Sequence, residues 1–407
     1  MKILVLNAGS SSQKSCLYHI KQNALPQHHP EPIWQAAIDW TAAAETGLLE
    51  IKANSIKQEI KLDPNNRLEG MSKLLESLTT GETQVIKELS EIDIVGHRIV
   101  HGGSDYSEAT EITPEVKQTI RQLIPLAPNH NPAHLEGIEA VENILGNIPQ
   151  VAVFDTAFHR KMPKSAATYP IPYHWYKQGI RRYGFHGTSH KYCAKTASEL
   201  LNKPLESLQL ITCHLGNGAS LAAIKHGISI DTTMGFTPLE GLMMGTRSGS
   251  IDPGIVLYLM QNHQMTAEEI DRMLNKESGI KGITGKSGDM RYITEAMQQG
   301  DSLAKLAFEM FIHHLKRSIG SMLGSLTQLD AIIFSAGIGE HSAIVREAAC
   351  DGLEYLGIQL DANKNNQSPI DIDIAVTDSP VRILVIHTEE DWAIATECWY
   401  LLQSKFK

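Results

Sequence analysis

The sequence predicts a two-domain α/β fold, because the same strand–turn–strand pattern occurs once in each half of the chain. The first copy, VLNAGSSSQKSCL, spans residues 5–17, and the second, ITCHLGNGASLAA, spans residues 211–223. Each consists of an apolar run, a turn of small polar residues and a second apolar run, which is a β-hairpin signal. A chain of 407 residues is long enough for two domains. We therefore expect a duplicated fold with a cleft between its two copies.

Around the first hairpin, alternation and capping residues predict further elements of the same domain. Leu49–Ala53 and Ile56–Leu62 alternate in the manner of antiparallel strands. Thr113 followed by Pro114 marks the start of a helix, because threonine caps helices and proline suits their first turn. The other elements predicted here are helices over Arg67–Leu78 and Ala133–Leu145 and strands over Ile92–Val100 and Val151–Phe154.

The second half of the chain mixes strands and helices, as α/β domains do. Ser302–Leu326 carries the strongest helical stripe of apolar residues, and the proline-rich segment Pro163–Pro172 is interpreted as the link between domains. We assign residues 1–155 to an N-terminal domain and 156–390 to a C-terminal domain, with the closing helix in 391–407 packing on the first. The other predicted elements are helices over Lys191–Leu201, Thr266–Leu274 and Glu390–Leu402, a helix from Ser342, and strands over Ala331–Ser335 and Arg382–Ile386.

The composition favours a globular protein and argues against several other classes. A hydrophobic share of 42% with a charged share of 20% indicates a folded core rather than a disordered chain. The net charge of −10 argues against a nucleic-acid partner, because there is no basic excess to neutralise phosphates. The five cysteines form no CxxC motif, and the sequence shows neither a signal peptide nor a membrane span. We expect a cytoplasmic protein without nucleic-acid or membrane partners.

Three turns have the composition of phosphate-binding loops. Small residues let the backbone approach a phosphate, while amides and hydroxyls donate to its oxygens. Both hairpin turns fit this description, and Lys14 adds a positive charge next to the first. The third is Ala336–Glu340, a Gly-x-Gly turn predicted between a strand and the helix from Ser342. A near match to the P-loop, Ile280–Ser287, is rejected because its first glycine is missing and it follows a helix.

Several charged or polar residues have neighbours that favour an anion site over a structural role. Arg98 and Arg247 stand beside glycines and apolar residues, which favours anion binding over a surface salt bridge. Asp155 ends an apolar strand and His186 lies at a helix entry, although a turn aspartate and a structural histidine are the ordinary alternatives. The acidic run Glu389–Asp391 either stabilises a helix dipole or supplies one carboxylate to magnesium. Together these residues predict phosphoryl transfer by positioning and charge.

Eight blocks of sequence resemble those of one enzyme family. They run nearly end to end through the chain as NAGSSSQK, HRIVHGG, PLAPNHNP, VFDTAFH, YGFHGTSH, CHLGNGAS, DTTMGFTPLEGLMMGTRSGSIDP and SAGIGEHS. On these motifs the chain resembles the acetate, propionate and butyrate kinases of the sugar kinase–heat shock 70–actin superfamily. The resemblance implies a duplicated actin-like (ribonuclease H-like) ATPase fold of two domains with a central active-site cleft. It also implies a homodimer that phosphorylates acetate reversibly with ATP and Mg²⁺, with Mn²⁺ as the alternative metal.

The same resemblance implies a role for each matching residue. Asp155, His186 and Arg247 would be catalytic, and the last two would stabilise the transferring phosphoryl group. Asn7 and Glu390 would hold the metal. The carboxylate substrate would contact Arg98, Val100, Asn129, Phe185 and Pro238. The ATP phosphates would contact Lys14, His214, Leu215, Gly216, Asn217 and Gly218, and the nucleoside would contact Asp289, Met290, Arg291, Gly337, Ile338, Gly339, Glu340 and His341.

Two features of the sequence bear on the details of this reaction. A carboxylic acid with a pKa of roughly 4–5 is ionised at neutral pH, so Asp155 is expected to orient groups or aid magnesium rather than abstract a proton. Asn129 stands where the family usually has leucine, and Thr388–Asp391 reads TEED where the family usually has T-N-E-E. A propionate- or butyrate-preferring kinase therefore stays open. So does an actin-like ATP-binding module without an acyl acceptor, although such a module has no need of two arginines around a second anion.

Overall fold

The computed structural model describes residues 1–9, 12–21, 24–26, 29–43, 46–128 and 130–405. The chain forms two compact units, of which the first is Met1–Ala157 with Glu389–Lys407 and the second is Phe158–Thr388. The predicted domain limits stay predictions, because compactness alone does not show that a unit folds independently. Over the described ranges, no helix is both long and apolar enough to cross a membrane.

Strands and helices follow one another along most of the described chain. The strands are β1 (Lys2–Ala8), β2 (Ser12–His19), β3 (Trp34–Ala43), β4 (Thr46–Ala53), β5 (Ile56–Leu62), β6 (Ile94–Ile99), β7 (Thr110–Glu111), β8 (Gln150–Phe154), β9 (Gln209–Leu215), β10 (Ala219–Lys225), β11 (Ile228–Thr232), β12 (Ala331–Ser335), β13 (Ile372–Asp373) and β14 (Arg382–Val385). The helices are α1 (Arg67–Glu76), α2 (Pro114–Gln122), α3 (Asn131–Leu145), α4 (Lys164–Ala167), α5 (His174–Lys177), α6 (Gly187–Leu201), α7 (Pro253–Asn262), α8 (Ala267–Lys276), α9 (Gly279–Thr284), α10 (Met290–Gln298), α11 (Ser302–Leu323), α12 (Ala336–His341), α13 (Ala343–Cys350), α14 (Ala362–Asn365) and α15 (Glu390–Lys405).

The first unit is built on an eight-stranded sheet of order β5-β4-β3-β2-β1-β6-β8-β7. β3, β2 and β1 form an antiparallel meander, and β6 and β8 continue from β1 in parallel. Every residue of β8 is buried, as expected of a parallel strand covered on both faces. Because β6 and β8 are parallel neighbours, their carboxyl ends lie side by side, and these ends carry Arg98 and Asp155.

The second unit has a six-stranded sheet of order β11-β10-β9-β12-β14-β13. β11, β10 and β9 form an antiparallel meander, and β12 and β14 continue from β9 in parallel. All seven residues of β9 and all five of β12 are buried. The register pairs Ser335 at the end of β12 with His214 on β9, which fixes the start of α12 beside the glycine turn.

Five consecutive strands of each sheet have the same order and the same directions. β3-β2-β1-β6-β8 in the first unit corresponds to β11-β10-β9-β12-β14 in the second. The two predicted hairpins are β1–β2 and β9–β10, so each occupies the same place in its sheet. The predicted two-domain, duplicated actin-like α/β fold is thereby confirmed, whereas the cleft between the copies stays a prediction.

The last helix packs onto the first sheet through a position where only glycine fits. A Cβ atom on Gly96 of β6 would lie 2.6 Å from Sγ of Cys398 and 2.7 Å from Cγ2 of Ile394. Both of those side chains belong to α15 and are fully buried. This close contact sets the N-terminus of α15, and with it Glu390 and Asp391, beside the end of β1.

Several predicted elements differ from those in the structure. Ala336–His341 is a short helix rather than a turn, because buried Arg346 donates from Nη1 to the carbonyls of Gly339 and Glu340 at 2.9 and 2.7 Å. Pro163–Pro172 was expected to link the domains but contains α4 and lies inside the second unit. The rejection of Ile280–Ser287 as a P-loop agrees with α9, a helix where the P-loop mechanism needs a strand followed by a loop.

Candidate active site

Arg98 and Asp155 form a buried ion pair at the carboxyl ends of β6 and β8. Arg98 Nε donates to Asp155 Oδ1 at 3.0 Å and Nη2 donates to Oδ2 at 2.7 Å, so the pair is bidentate. Asp155 is only 2% exposed. Burial alone would lower the pKa of Arg98, but the carboxylates of Asp155 and Glu390 raise it above its ordinary value. The guanidinium is therefore a permanent, oriented cation.

The other nitrogen of this guanidinium faces the two residues predicted to hold a metal. Arg98 Nη1 donates to Asn7 Oδ1 at 3.2 Å and lies 3.9 Å from Oε2 of Glu390. Asn7 comes from β1 and Glu390 begins α15, so two elements far apart in sequence supply the oxygens. The structure thus brings Asn7, Arg98, Asp155 and Glu390 into one cluster.

The sequence predicted no individual role for Asp391 beyond its place in the acidic run. Asn7 Nδ2 donates to Asp391 Oδ1 at 2.9 Å, which turns the amide oxygen of Asn7 toward Arg98. Cys16 Sγ donates to Asp391 Oδ2 at 3.5 Å. Burial raises the pKa of Asp391 above its usual value, while the hydrogen bond from Asn7 opposes this shift and Glu390 adds to it. The signal that could have found it was an aspartate in the first turn of a helix next to a predicted metal ligand.

The donor chemistry around Arg98 fits a hard divalent cation. Among the residues that the structure describes, no group of three or more histidine, cysteine or acidic side chains is arranged to hold a metal by itself. Mg²⁺ usually takes one or two protein oxygens and completes its shell with water and substrate phosphates. The amide oxygen of Asn7 and the carboxylate of Glu390, both facing Arg98 Nη1, match that requirement.

Lys14 lies directly opposite Asn7 in the β1–β2 ladder. Residues paired in this way project from the same face of a sheet, and the Lys14 side chain is exposed. Val100, predicted for the acyl pocket, follows β6 and is 5% exposed. Asn129, predicted for the same pocket, lies outside the described residues, as do Ser10 and Ser11 of the first turn.

In the second unit, the glycine turn after β9 brings together two segments that are distant in sequence. Within the turn, the amide of Gly216 donates to the carbonyl of Gly218 at 3.0 Å. Gly245 donates to the carbonyl of Asn217 at 3.1 Å, so the Gly/Met-rich segment 231–252 packs on the turn. A Cβ on Gly218 would lie 3.5 Å from both Arg247 Nη1 and His186 Nε2. Arg247, His186 and the glycine turn therefore form a second cluster.

Arg247 and His186 are both held in place by neighbours. Arg247 Nη1 donates to the carbonyl of Pro238 at 3.1 Å, and burial lowers the pKa of Arg247. His186 caps α6 in a left-handed conformation (φ 56°) and its ring stacks on that of His214 at 4.1 Å. Phe185, one residue earlier, is 1% exposed. The predicted pocket roles of Phe185 and Pro238 stay predictions.

The predicted nucleoside contacts belong to two segments that approach the same turn, although one of these residues, Met290, is buried. A Cβ on Gly216 would lie 3.7 Å from that of Ala336, which begins α12. A Cβ on Gly288 would lie 2.5 Å from the carbonyl of Gly245, so the segment entering α10 approaches the turn as well. Asp289 caps α10 and pairs with Arg291 at 2.6 Å, whereas Met290 is buried. The nearby residues predicted to contact the nucleoside include Gly337, Ile338, Gly339, Glu340 and His341 of α12.

The carboxylate of Glu340 makes hydrogen bonds inside the protein. Its carboxylate lies 2.5 Å from Nδ1 of His387 and accepts from the amide of Thr388 at 3.2 Å. The residue is only 5% exposed. A nucleoside contact by Glu340 stays a prediction. In the structure, this carboxylate holds His387 and Thr388 against α12.

Comparison with known proteins adds to this geometry. A family profile described as the Acetokinase family matches residues 2–396. The chain is 65% identical over 402 residues to the acetate kinase of Rippkaea orientalis, covering 99% of this chain and 100% of that protein. It is 57% identical over 407 residues to that of Synechocystis sp., covering 100% and 98%. Its fold matches the crystal structure of an acetate kinase from Porphyromonas gingivalis with a TM-score of 0.89 and 39% identity, covering 98% of this chain and 99% of that one. It also matches the crystal structure of a propionate kinase from Francisella tularensis with a TM-score of 0.88 and 40% identity, covering 97% of this chain and 98% of that one.

Proposed function

The chain belongs to the acetokinase family, and from that premise we propose that it phosphorylates acetate with ATP, reversibly, to give acetyl phosphate. The enzyme is a phosphotransferase with a carboxyl group as acceptor. The observation that carries the proposal is the Arg98 guanidinium, which is fixed by both oxygens of Asp155 next to the oxygen donors Asn7 and Glu390. A fixed cation beside metal-binding oxygens suits a carboxylate that must approach a phosphate.

Asp155 serves this reaction by orienting Arg98. Acetate is already ionised at neutral pH, because its pKa is roughly 4–5 as for other carboxylic acids. It therefore needs no general base. Both oxygens of Asp155 accept hydrogen bonds from Arg98, so the carboxylate orients the guanidinium. Arg98 in turn offsets the repulsion between acetate and the phosphates of ATP.

Charge on the transferring phosphoryl group is stabilised by residues of the second unit. Arg247 supplies a cation and His186 a hydrogen-bond donor, and both lie against Gly218 of the glycine turn. The backbone amides of this turn, with Lys14, are proposed to contact the ATP phosphates. Mg²⁺, when bound with Asn7 and Glu390 as protein donors, supplies further charge neutralisation on the phosphates. Acetate attacks the γ-phosphorus in line and ADP leaves.

We propose acetate over longer acids as the preferred substrate. By resemblance, Val100 and Phe185 match an acetate-type pocket, in which a valine crowds longer acyl chains. Relatives 55–65% identical to this chain are named acetate kinase. The Francisella tularensis propionate kinase is 40% identical, which keeps a longer acid as the second candidate.

The experiment that tests the reaction traps the acyl phosphate. Protein, Mg-ATP and hydroxylamine are incubated with acetate, propionate or butyrate, and hydroxamate and ADP are measured together. We expect hydroxamate to be largest with acetate and to fall with chain length. A larger yield with propionate or butyrate would transfer the assignment to the second candidate. ADP release without hydroxamate for any acid would contradict the proposed reaction and favour an ATP-binding module.

We propose that two copies of the chain associate through α7. This helix is mostly apolar, none of its residues is buried, and Ile255, Leu257 and Tyr258 are 45%, 57% and 56% exposed. A run of this kind on one helix is typical of an interface, and a second copy of the same chain gives a self-complementary contact.

Leu257→Glu is expected to convert the dimer to a monomer, because it places a charge in the centre of this apolar surface. Sedimentation velocity at several concentrations measures the change. Tyr355→Glu is the matched control, since Tyr355 is 82% exposed on another part of the second unit. A monomeric wild-type protein, or a dimeric Leu257→Glu variant, would contradict the interface.

We also propose that the protein works in the cytoplasm. All five cysteines are buried, and none of them is in a disulfide bond. Cysteines that form no disulfide are typical of a reducing compartment.

A further inference from the structure

A chain of hydrogen bonds leads from the interior of the second unit to His186. Thr212 Oγ1 lies 2.7 Å from Nδ1 of His190, whose Nε2 lies 2.8 Å from Oγ of Ser220. The same Ser220 oxygen lies 2.8 Å from Nδ1 of His186. Thr212, His190 and Ser220 are each at most 1% exposed. None of the three has a role in the reaction described so far.

The serine makes this chain directional, because its hydroxyl carries one proton and touches two histidines. Because Ser220 is fully buried and, among the residues that the structure describes, its hydroxyl contacts only these two rings, its proton needs one of them as acceptor. Ser220 therefore donates to one ring and accepts from the other ring if that ring's facing nitrogen carries a proton. The protonation of one ring is therefore coupled to that of the other. The direction of donation along the chain is set at its inner end, where the Thr212 hydroxyl can donate either to His190 Nδ1 or to the carbonyl of Ala222.

Distances at Thr212 favour one direction. Its hydroxyl lies 2.7 Å from His190 Nδ1 but 3.5 Å from the carbonyl of Ala222, which is at the outer limit of a hydrogen bond. Donation to His190 Nδ1 is thus the stronger bond. His190 then carries its proton on Nε2 and donates to Ser220, and Ser220 donates to Nδ1 of His186.

We propose that Thr212, His190 and Ser220 are positioning residues that hold His186 as its neutral Nε2–H tautomer. This inference rests on the proposed role of His186 at the phosphoryl group. Nε2 of His186 is the nitrogen turned toward Gly218, next to Arg247 Nη1. Phosphoryl oxygens only accept hydrogen bonds, so the tautomer presents the donor that they require. No proton is transferred: Nε2 keeps its hydrogen throughout.

The surroundings of His190 agree with a neutral histidine. Burial, followed by the neighbouring His159 and His214, lowers the pKa of His190 well below its usual value. His186 stacks on His214 and lies against the same glycine as Arg247. A neutral donor adds hydrogen bonding beside Arg247 without adding a second buried positive charge.

The tautomers can be observed directly by nitrogen NMR of the whole protein labelled with ¹⁵N-histidine. The resonances of His186 and His190 are identified by their loss in His186→Gln and His190→Gln. We expect both rings to carry a single proton on Nε2 at pH 7.5. A proton on Nδ1 of His186, or two protons on its ring, would overturn the proposal. If His190→Gln does not fold, the His186 ring alone decides.

The turnover of Thr212 variants distinguishes a positioning role from a purely structural one. Thr212→Val keeps the shape but removes the hydroxyl that sets the direction, and we expect kcat to fall about tenfold with little change in either KM, because His186 loses its fixed donor. Thr212→Ser should rescue kcat. Thr232→Val is the control, since this buried threonine donates to the carbonyl of Leu221, not to a histidine. Equal kcat values for Thr212→Val and Thr232→Val would overturn the proposal.

The two readouts separate this inference from the proposed function. The NMR measurement needs no turnover, so a protein that forms no acyl phosphate would contradict the proposed reaction while the spectrum still decides the tautomer. Conversely, a normal hydroxamate yield together with an Nδ1–H ring at His186 would keep the reaction and overturn the positioning role.

Discussion

Arg247→Ala is expected to lower kcat by roughly 10³-fold while leaving the affinity for ATP nearly unchanged, because an arginine beside a transferring phosphoryl group acts mainly in the transition state. Arg247 is buried, fixed by the carbonyl of Pro238 and placed against Gly218 and His186. Burial lowers the pKa of Arg247 from its ordinary value, but an arginine guanidinium stays protonated in proteins. Its charge is therefore permanent and pre-oriented.

The measurement combines steady-state hydroxamate formation with ATP binding by calorimetry. Arg247→Lys should recover only part of the loss, because lysine keeps the charge but lacks the planar fork of donors. Arg272→Ala is the matched control: Arg272 is an exposed arginine of the same unit that pairs with Glu277 at 3.0 Å. Turnover in Arg247→Ala equal to that of Arg272→Ala would remove Arg247 from the mechanism, and a parallel loss of ATP affinity would make it a binding residue.

Those parts of the fold and the candidate site that depend on local sequence patterns could be predicted from the sequence. The two hairpins, the positions of Arg98 and Asp155 at strand ends and the entry of α6 at His186 all follow from periodicity and capping over a few residues. The duplicated fold could be predicted because such short-range signals encode hairpins and their flanking strands. The structure confirms it. The roles of the individual site residues stay predictions.

The pairings inside the site could not be predicted in this way. The bidentate contact of Arg98 with Asp155 joins residues 57 apart, and it depends on β6 and β8 being parallel neighbours. The contact of Asn7 with Asp391 joins residues 384 apart, and it depends on how α15 packs against Gly96. The link from His186 through Ser220 to His190 likewise needs the register of β9 and β10. Periodicity specifies which face of an element is buried but not which element covers it.

Asp155→Asn is expected to lower kcat/KM for acetate by roughly 10²-fold or more, because removing one partner of a buried, hydrogen-bonded charge pair costs about that much. Asparagine keeps one oxygen acceptor and turns an NH₂ group toward the N–H donors of Arg98, so the guanidinium loses its bidentate anchor. The effect should appear mainly in the KM for acetate, with that for ATP little changed. Asp373→Asn is the control, since Asp373 accepts from Arg382 at 2.6 Å at the edge of the other sheet.

A double-mutant cycle then distinguishes the orienting role of Asp155 from that of a base or an independent metal ligand. If Asp155 acts only through Arg98, the Arg98→Ala/Asp155→Asn double variant should be no slower than Arg98→Ala alone, because the second substitution removes an anchor that has nothing left to hold. A base or a ligand in its own right would instead add its loss to that of Arg98. Hydroxamate formation by the four proteins at saturating Mg-ATP measures the coupling. Additive losses would contradict the orienting role, and since acetate has no proton to give up near neutral pH, they would point to a direct interaction of Asp155 with the metal.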